Sequence, residues 1–382
     1  MQTTDQGRPA HPDQPAAAEP NRGQTIAAWC RRHVPLLSIA GLIATLVVVA
    51  APADQTGLTA TTEPVAKVAK KKKRKCKVSA KLVPSCGLWW GVSPGTYRDR
   101  RAGTLAFERQ LRARVDIYKA YHFSGELFPN ATERALARQK RHHRILNIDY
   151  VPDGRYNWAQ VAAGANDAVL IREARYLKAH FKKKLFVSIH HEPEDEVRQS
   201  LGSGYRAQDF AAMFRHVVQV FRAQGVRNVV WVFNIMGTQE PDAAPWFPAL
   251  YPGDRYVDWI AADPYGCYNA KVCRDFDRST LNQRFSPNAP WLGFYRWATK
   301  THPGKPLMLS EWAAYTNVDN AARVRYLKTV VRQLGKFPRL KAIVYWNSRD
   351  ARRGNCALAP GTRASKVVSN LARSSYFAQR VR

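Results

Sequence analysis

The sequence predicts a single (β/α)8 TIM barrel, an α/β fold, for residues 86–382. Short apolar runs follow one another along this stretch, and segments with a helical period separate several of them. The stretch is also long enough for such a barrel, which takes about 250 residues. A doubly wound open sheet is the alternative, but no glycine-rich phosphate-binding fingerprint follows any run.

The apolar runs have the length and composition of buried parallel strands. There are eight of them: Gly87–Val92, Asp116–Tyr121, Ile145–Val151, Lys184–His190, Asn228–Phe233, Val257–Ala262, Pro306–Ser310 and Leu340–Trp346. Between them, Asp167–His180 and Gln208–Ala223 place apolar residues about 3.6 positions apart and predict amphipathic helices.

Three N-terminal segments precede the predicted barrel. Residues 1–33 form a leader that ends in Arg31, Arg32 and His33, and residues 34–53 form a charge-free apolar run that ends Ala-Pro-Ala. This run predicts either a cleaved signal peptide or a single membrane anchor, with the barrel outside the cytoplasm. Residues 54–85 lack apolar periodicity and predict a basic linker.

The chain is strongly basic, with 60 Lys and Arg against 29 Asp and Glu. A dense basic cluster covers Lys70–Lys77, and for an exported protein it indicates an anionic envelope polymer or lipid headgroups as a partner. A solvated spacer is the alternative. No specific nucleic acid is predicted, because the export segment argues against a nuclear role for the cluster.

Two carboxylates stand where predicted strands end. Glu192 follows the fourth apolar run and Glu311 follows the seventh. In a TIM barrel the carboxyl ends of the strands carry the chemistry. Two carboxyl groups facing each other across one cleft are the basic requirement for glycoside hydrolysis.

Several segments in order resemble glycoside hydrolase family 26, which includes the β-mannanases. Tyr251–Tyr268 resembles its sixth-strand region and Trp158–Leu177 resembles its third βα connection. His191-Glu192 is similar to its His-Glu pair, and Ser310-Glu311-Trp312 is similar to its nucleophile motif. The resemblance covers most of residues 87–350.

The resemblance implies roles for individual residues. Glu192 becomes the general acid/base and Glu311 the nucleophile, while Tyr265 hydrogen-bonds the nucleophile. His191 contacts substrate or orients Glu192, and one member of the pair His190 and His191 must point into the barrel wall. The pair lacks further ligands at suitable spacing, so no metal is predicted. No cofactor is predicted either, because this hydrolysis needs only carboxylates and water.

Aromatic residues at strand ends are candidates for stacking on sugar rings. Trp346 matches the family's sugar platform, and Trp90 is a candidate because Trp89 and Trp90 alternate on the first strand, so at most one faces the cleft. Asn234 is a candidate polar contact after the fifth strand. Trp246, Trp312 and Tyr315 are weaker candidates.

The sequence also departs from the β-mannanase pattern. Pro193–Glu196 stands where the family has an Asn and a Trp-rich loop, and Trp312-Ala313 replaces the usual Phe-Gly. The predicted function is therefore a secreted or anchored retaining hydrolase of a β-linked polysaccharide, β-1,4-mannan or a related envelope or matrix glycan. A non-catalytic polysaccharide- or polyanion-binding barrel is the alternative.

Two further expectations concern geometry. Strands four and seven face each other in a closed barrel, so the two Glu carboxyl groups are expected about 5 Å apart, as in retaining enzymes. In an oxidising compartment Cys267 pairs with Cys273, and Cys76 with Cys86 is the better second pair. Cys356 then remains unpaired, since Cys30 belongs to the leader.

Overall fold

The computed structural model describes residues 76–95, 100–140, 142–267, 273–284, 286, 288–316, 318–349 and 355–377. The predicted leader, the apolar run 34–53 and the basic residues before Cys76 lie outside these residues. Among the helices that the structure describes, none is both long enough and apolar enough to cross a bilayer.

Eight parallel strands close into a barrel in which each strand pairs with its sequence neighbours and β8 pairs with β1. The strands are β1 (Trp89–Ser93), β2 (Ile117–Phe123), β3 (Ile145–Val151), β4 (Leu185–Ile189), β5 (Val229–Ile235), β6 (Trp259–Ala262), β7 (Leu307–Trp312) and β8 (Leu340–Trp346). The predicted TIM barrel is confirmed, and all eight apolar runs form strands.

The connections between strands are mainly helical. The α-helices of the described residues are α1 (Arg100–Leu111), α2 (Ala131–Arg138), α3 (Trp158–Ala162), α4 (Asp167–His180), α5 (Ala207–Ala223), α6 (Gln239–Asp242), α7 (Phe294–Thr301), α8 (Asn320–Gln333) and α9 (Arg363–Ala372). Helix α4 has the predicted bounds and α5 begins one residue earlier than predicted.

Local sequence explains these helices. In α5 the buried side chains of Phe210, Met213, Val217 and Phe221 recur every three or four residues, so one face packs on the barrel. Helix α2 begins with a capping box, in which the Asn130 side chain accepts from the backbone N–H three residues later.

The barrel interior is layered. Its lower part is an apolar cluster that includes Trp89, Phe186, Trp259 and Met308. Above this cluster the inward positions become polar, and Lys119 of β2, Asn147 of β3 and Ser310 of β7 are fully buried there. The polar layer supports the mouth of the barrel, where the strands end.

Residues 76–85 differ from the predicted linker. Val78 and Pro84 form an antiparallel bridge, and Leu82 is buried in the lower apolar cluster. The indole N–H of Trp89 donates to the Leu82 carbonyl at 2.7 Å, and that of Trp259 donates to the Lys81 carbonyl at 2.7 Å. The predicted linker therefore ends in a folded hairpin that closes the bottom of the barrel, because Leu82 covers apolar surface that water would otherwise reach.

Both predicted disulfides are present, and the remaining described cysteine is free. Cys76 is bonded to Cys86 at the base of the hairpin, and Cys267 is bonded to Cys273 after β6. Cys356 is a buried free thiol.

Candidate active site

A local irregularity of β7 places Glu311 in the mouth of the barrel. Ser310 faces inward and contacts Lys119 and Asn147, so a regular strand would turn Glu311 outward. The pairing of β7 with β8 shifts register between Leu309 and Trp312. A bulge of this kind re-aims a side chain, and here Glu311 joins the interior while Trp312 packs outside.

Three side chains hold the Glu311 carboxylate. The hydroxyl of Tyr121 donates to one carboxylate oxygen and the hydroxyl of Tyr265 donates to the other. The Lys119 ammonium lies 3.3 Å from the oxygen bonded by Tyr121. Burial by itself raises the pKa of Glu311, but the Lys119 ammonium and the hydrogen bonds from the two tyrosines hold it below its usual value. Glu311 is therefore ionised at neutral pH.

Glu192 lies just beyond the end of β4 in a left-handed conformation, with φ of 52°. Its backbone N–H donates to the carbonyl of Asn234 at the end of β5, at 3.1 Å. Burial raises its pKa well above the usual value, and the negative charges of Asp263 and Glu311 add to this effect. Glu192 is therefore a protonated acid at a pH where Glu311 is a carboxylate.

A buried ion pair supports Glu311 from below. The Lys119 ammonium lies 2.6 Å from Asp149 and donates to the Ser310 hydroxyl at 2.8 Å. Burial alone lowers the pKa of Lys119, but the carboxylates of Asp149, Asp263 and Glu311 outweigh it and keep the ammonium charged. A fixed cation therefore stands beneath the candidate nucleophile.

His190 and His191 point in different directions. His191 faces the site, with its Nδ1 3.7 Å from Asp149 and its ring 5.6 Å from that of Tyr121. Burial and the neighbouring Lys119 lower the pKa of His191, so the ring is neutral. His190 has φ of 51° and turns into the wall, where it meets Trp158 edge-on at 5.3 Å.

Asn234 near the end of β5 and Asp263 just after β6 lie next to each other at the site. The Asn234 side-chain amide donates to Asp263 at 2.6 Å, and both side chains are buried. Burial raises the pKa of Asp263 well above its usual value, with further contributions from Glu311 and Asp149. Asp263 thus adds a third carboxyl group to the pair predicted from the sequence.

Of the predicted aromatic residues, Trp346 lies at the site. It closes β8, keeps 7% of its surface exposed, and its ring meets that of Tyr265 at 5.7 Å. Tyr315 also packs against Tyr265, at 5.5 Å. Trp312 is fully buried and donates from its indole N–H to the hydroxyl of Tyr326, so it is a packing residue.

The expectation for Trp90 is corrected. Alternation along β1 turns Trp89 and Ser93 into the barrel, so Trp90 points toward the helices. It is fully buried against Phe107 and Phe377, with ring centroids 6.3 Å and 5.1 Å away. Trp89 does face inward but lies in the lower apolar cluster, so neither indole reaches the cleft.

The sequence did not predict four residues of the site: Lys119, Tyr121, Asp149 and Asp263. The lysine inside the apolar run IYKAY was a usable signal, because a charged residue in a fully buried strand needs a partner. Asp263 was a second signal, since it directly follows the sixth apolar run as Glu192 and Glu311 follow theirs.

The donor atoms of Asp149, His191 and Glu311 are close enough together to surround a metal ion. The Lys119 ammonium, however, contacts both carboxylates of this trio, at 2.6 Å and 3.3 Å. A cation of the protein itself therefore takes the position that a metal would need. The site as a whole can protonate a leaving group with the Glu192 carboxyl and attack with the Glu311 carboxylate.

Comparison with known sequences agrees with this geometry. The family model described as glycosyl hydrolase family 26 matches residues 199–286, which span α5, β5 and β6. Endoglucanase H of Acetivibrio thermocellus is 34% identical over 124 residues, which is 32% of this chain and 14% of that protein. Part of the chain is therefore similar to glycoside hydrolase family 26. The chain spans about a seventh of the length of that curated relative.

Two solved structures of GH26 mannanases share the barrel fold of this chain. A ruminal GH26 endo-β-1,4-mannanase superposes with a TM-score of 0.51 at 16% identity, covering 76% of this chain and 64% of the other. A GH26 β-mannanase from Bacteroides ovatus gives 0.53 at 16% identity, covering 78% and 91%. At this identity the likeness shows that the chain shares the barrel fold of these proteins.

Proposed function

We propose that this barrel is a family 26 glycoside hydrolase that cleaves a β-linked polysaccharide by double displacement, with retention of configuration. The observation that carries the proposal is the contrast between two carboxyl groups at the mouth of one barrel. The surroundings raise the pKa of Glu192 and lower that of Glu311. Such a pair separates the roles of acid and nucleophile.

In the first step a carboxylate oxygen of Glu311 attacks the anomeric carbon, and Glu192 gives its proton to the departing glycosidic oxygen. The product is a glycosyl ester on Glu311. This ester no longer carries the negative charge that helped to raise the pKa of Glu192. Glu192 therefore becomes a better base in the second step, where it takes a proton from the water that cleaves the ester.

The similarity to family 26 and the side chains at the site support a substrate class. Trp346 offers an indole for the apolar face of a sugar ring, and His191 and Asn234 supply polar groups beside the acid. We propose a β-1,4-linked glycan, mannan or a related envelope or matrix polysaccharide. The segment Pro193–Glu196 forms a short 3-10 turn at the place of the Trp-rich loop of β-mannanases, which supports a substrate other than plain mannan.

Chemical rescue of two variants tests the mechanism. In Glu311→Ala, turnover is lost, and azide fills the vacated space and gives a product of inverted configuration. In Glu192→Ala, substrates with a good leaving group still react, and azide gives a product of retained configuration. Nuclear magnetic resonance of the first-formed anomer shows the configuration of the product in both variants. Glu126→Ala, which removes a half-exposed carboxylate outside the site, is the control.

Reducing-end release from mannans, glucans, xylans and acidic polysaccharides identifies the sugar. An inverted product from the unmodified enzyme would remove Glu311 as nucleophile. If the protein binds a polysaccharide but releases no reducing ends from it, the non-catalytic binding barrel is favoured. For a polyanion binder, affinity falls steeply with added salt.

We also propose that the barrel works outside the cytoplasm, anchored or released at residues 34–53. The charge-free run behind Arg31 and Arg32 supports export, and the Cys76–Cys86 and Cys267–Cys273 bonds suit an oxidising compartment. The anionic polymer and membrane partners of Lys70–Lys77 remain predictions. Protease treatment of intact cells should remove an anchored barrel, and the medium should contain a cleaved one.

A further inference from the structure

A second group of ionisable side chains lies behind the active site, between the wall of the barrel and its helices. It consists of Asp153 after β3, His190 after β4 and Glu196 at the end of the 3-10 turn. One ligand atom from each lies within 4.8 Å of the others. The reaction proposed above uses none of them.

His190 is the residue that singles out this group. Its side chain is 4% exposed, and neither ring nitrogen makes a hydrogen bond to any residue that the structure describes. The ring is held edge-on by Trp158 at 5.3 Å and by Phe210 at 6.4 Å, which fixes its direction. Nε2 therefore points at the carboxylates of Asp153 and Glu196, at 3.8 Å and 3.5 Å.

Both distances are longer than that of a charged hydrogen bond. Nε2 of His190 lies 3.8 Å from Asp153 and 3.5 Å from Glu196. A charged hydrogen bond to a carboxylate measures about 2.7–2.9 Å. Two ligands of a tetrahedral zinc ion, each about 2.0–2.1 Å from the metal, are about 3.3–3.4 Å apart. The observed separations are within a few tenths of an ångström of that value.

We propose that Asp153, His190 and Glu196 bind a divalent transition-metal ion of the zinc class. A neutral imidazole with two carboxylates supplies a charge of −2, and a nitrogen ligand favours zinc over calcium or magnesium. The Glu196 side chain is 36% exposed, so the ion and a water molecule as fourth ligand can enter from solvent. Asp153 is fully buried and anchors the site to β3.

The position of the site suggests what the metal does. Two ligands, His190 and Glu196, lie on either side of Glu192, and the third comes from the neighbouring strand. His190 and Glu192 both have φ near 50°, a region that side-chain-bearing residues seldom occupy. A metal ion would hold this strained segment in one conformation. The role is structural and does not depend on the chemistry at Glu311.

Metal binding to the full-length, tag-free chain tests the proposal. The protein is stripped with a chelator and then titrated with Zn²⁺ by calorimetry, with Co²⁺ absorption as a spectroscopic readout of nitrogen and oxygen ligands. We expect one tight equivalent and a higher Tm with zinc. Glu196→Gln keeps the size of the side chain and should weaken zinc binding at least about 100-fold, since even losing a partner of a ligand costs 10–100-fold.

The matched control is Glu126→Gln. His122 also faces two glutamates, but hydrogen bonds of 3.1 Å to Glu126 and 2.9 Å to Glu133 already satisfy it. This variant should bind zinc as the unmodified protein does. His190→Gln is the second site variant, and Glu196→Gln decides alone if His190→Gln does not fold. No tight zinc uptake, or uptake unchanged in Glu196→Gln, overturns the proposal.

Discussion

The ammonium of Lys119 lies 3.3 Å from the carboxylate of Glu311 and 2.6 Å from that of Asp149, and all three side chains are buried. Electrostatic interactions are stronger there than in water, because the low-dielectric surroundings screen them poorly. Lys119 is the main group that offsets the effect of burial on the pKa of Glu311. The ionised state of the nucleophile therefore depends on a residue of a distant strand, β2.

Replacing Lys119 by Met should raise the pKa of Glu311, because the largest stabilising charge is lost. Ionised Glu311 is needed for attack, so the acidic limb of the kcat/KM profile should move to higher pH. At neutral pH we expect a loss of about 100-fold or more, as for other preorganised charges. The measurement is a pH–rate profile of the variant against the unmodified enzyme.

This variant also leaves Asp149 as an unpaired buried charge, which costs about 3–5 kcal/mol of stability. The double variant Lys119→Met/Asp149→Asn removes both charges and should recover much of that loss while keeping the shifted profile. Lys184→Met, at an exposed lysine bonded to a backbone carbonyl, is the control. An unshifted acidic limb in the double variant would show that Lys119 does not set the pKa of Glu311.

Tyr265 and Tyr121 each donate to a different oxygen of Glu311. A hydrogen bond to a charged group contributes about 1.5–3 kcal/mol. Removing either hydroxyl should therefore lower kcat/KM by about 10- to 150-fold, which Tyr265→Phe and Tyr121→Phe test in parallel. Tyr295→Phe, in a half-buried tyrosine that accepts from Arg339, should leave the kinetics unchanged. Equal activity in all three variants would contradict the assigned contacts.

Most strands of the barrel could be predicted from the sequence because they are buried on both faces. Such strands appear as continuous apolar runs, and Ile145–Val151 and Leu340–Trp346 have the same bounds in the structure. The hairpin at residues 76–85 could not be predicted from the sequence. It is held by Leu82 and by two backbone carbonyls that accept from distant indoles, a tertiary contact without local periodicity.

Site residues could be predicted from the sequence only where they directly follow or end a predicted strand. Glu192, His191, Tyr265 and Trp346 come together as the order of strands requires. Whether Trp90 faces the cleft depends on the strand's parity, which a run of five buried residues does not reveal. The bulge that turns Glu311 inward depends equally on the pairing of β7 with β8, so the sequence alone could not indicate it.

Trp90 and Trp346 were both candidates for stacking on sugar, but their replacement by Ala should have different effects. Trp90→Ala empties a closed space between β1 and the helices and should cost about 3–5 kcal/mol of stability with little change in the kinetics of the folded enzyme. Trp346→Ala should instead raise KM, because it removes a stacking surface at the site. Urea unfolding and steady-state kinetics of both variants separate the effects. A larger kinetic than stability defect in Trp90→Ala would contradict its placement.

A carboxyl group outside the site should make stability depend on pH. Glu173 of α4 is fully buried and accepts from Tyr150 and from the backbone N–H of Gly125. Burial raises its pKa to about 7, although these hydrogen bonds act in the opposite direction. The folded chain thus holds this proton more tightly than the unfolded chain, in which the pKa is about 4.3.

Glu173 therefore contributes its full stability below pH 4, and that contribution is lost as the pH rises through 7. The loss amounts to about 3 kcal/mol for a change of this size. Glu173→Gln is neutral at every pH, so the stability of the unmodified protein relative to this variant should fall by that amount between pH 4.5 and 8. Urea midpoints over a pH series measure it. If the difference between the two proteins stays constant with pH, Glu173 does not titrate in this range and its carboxyl is ionised in the folded state.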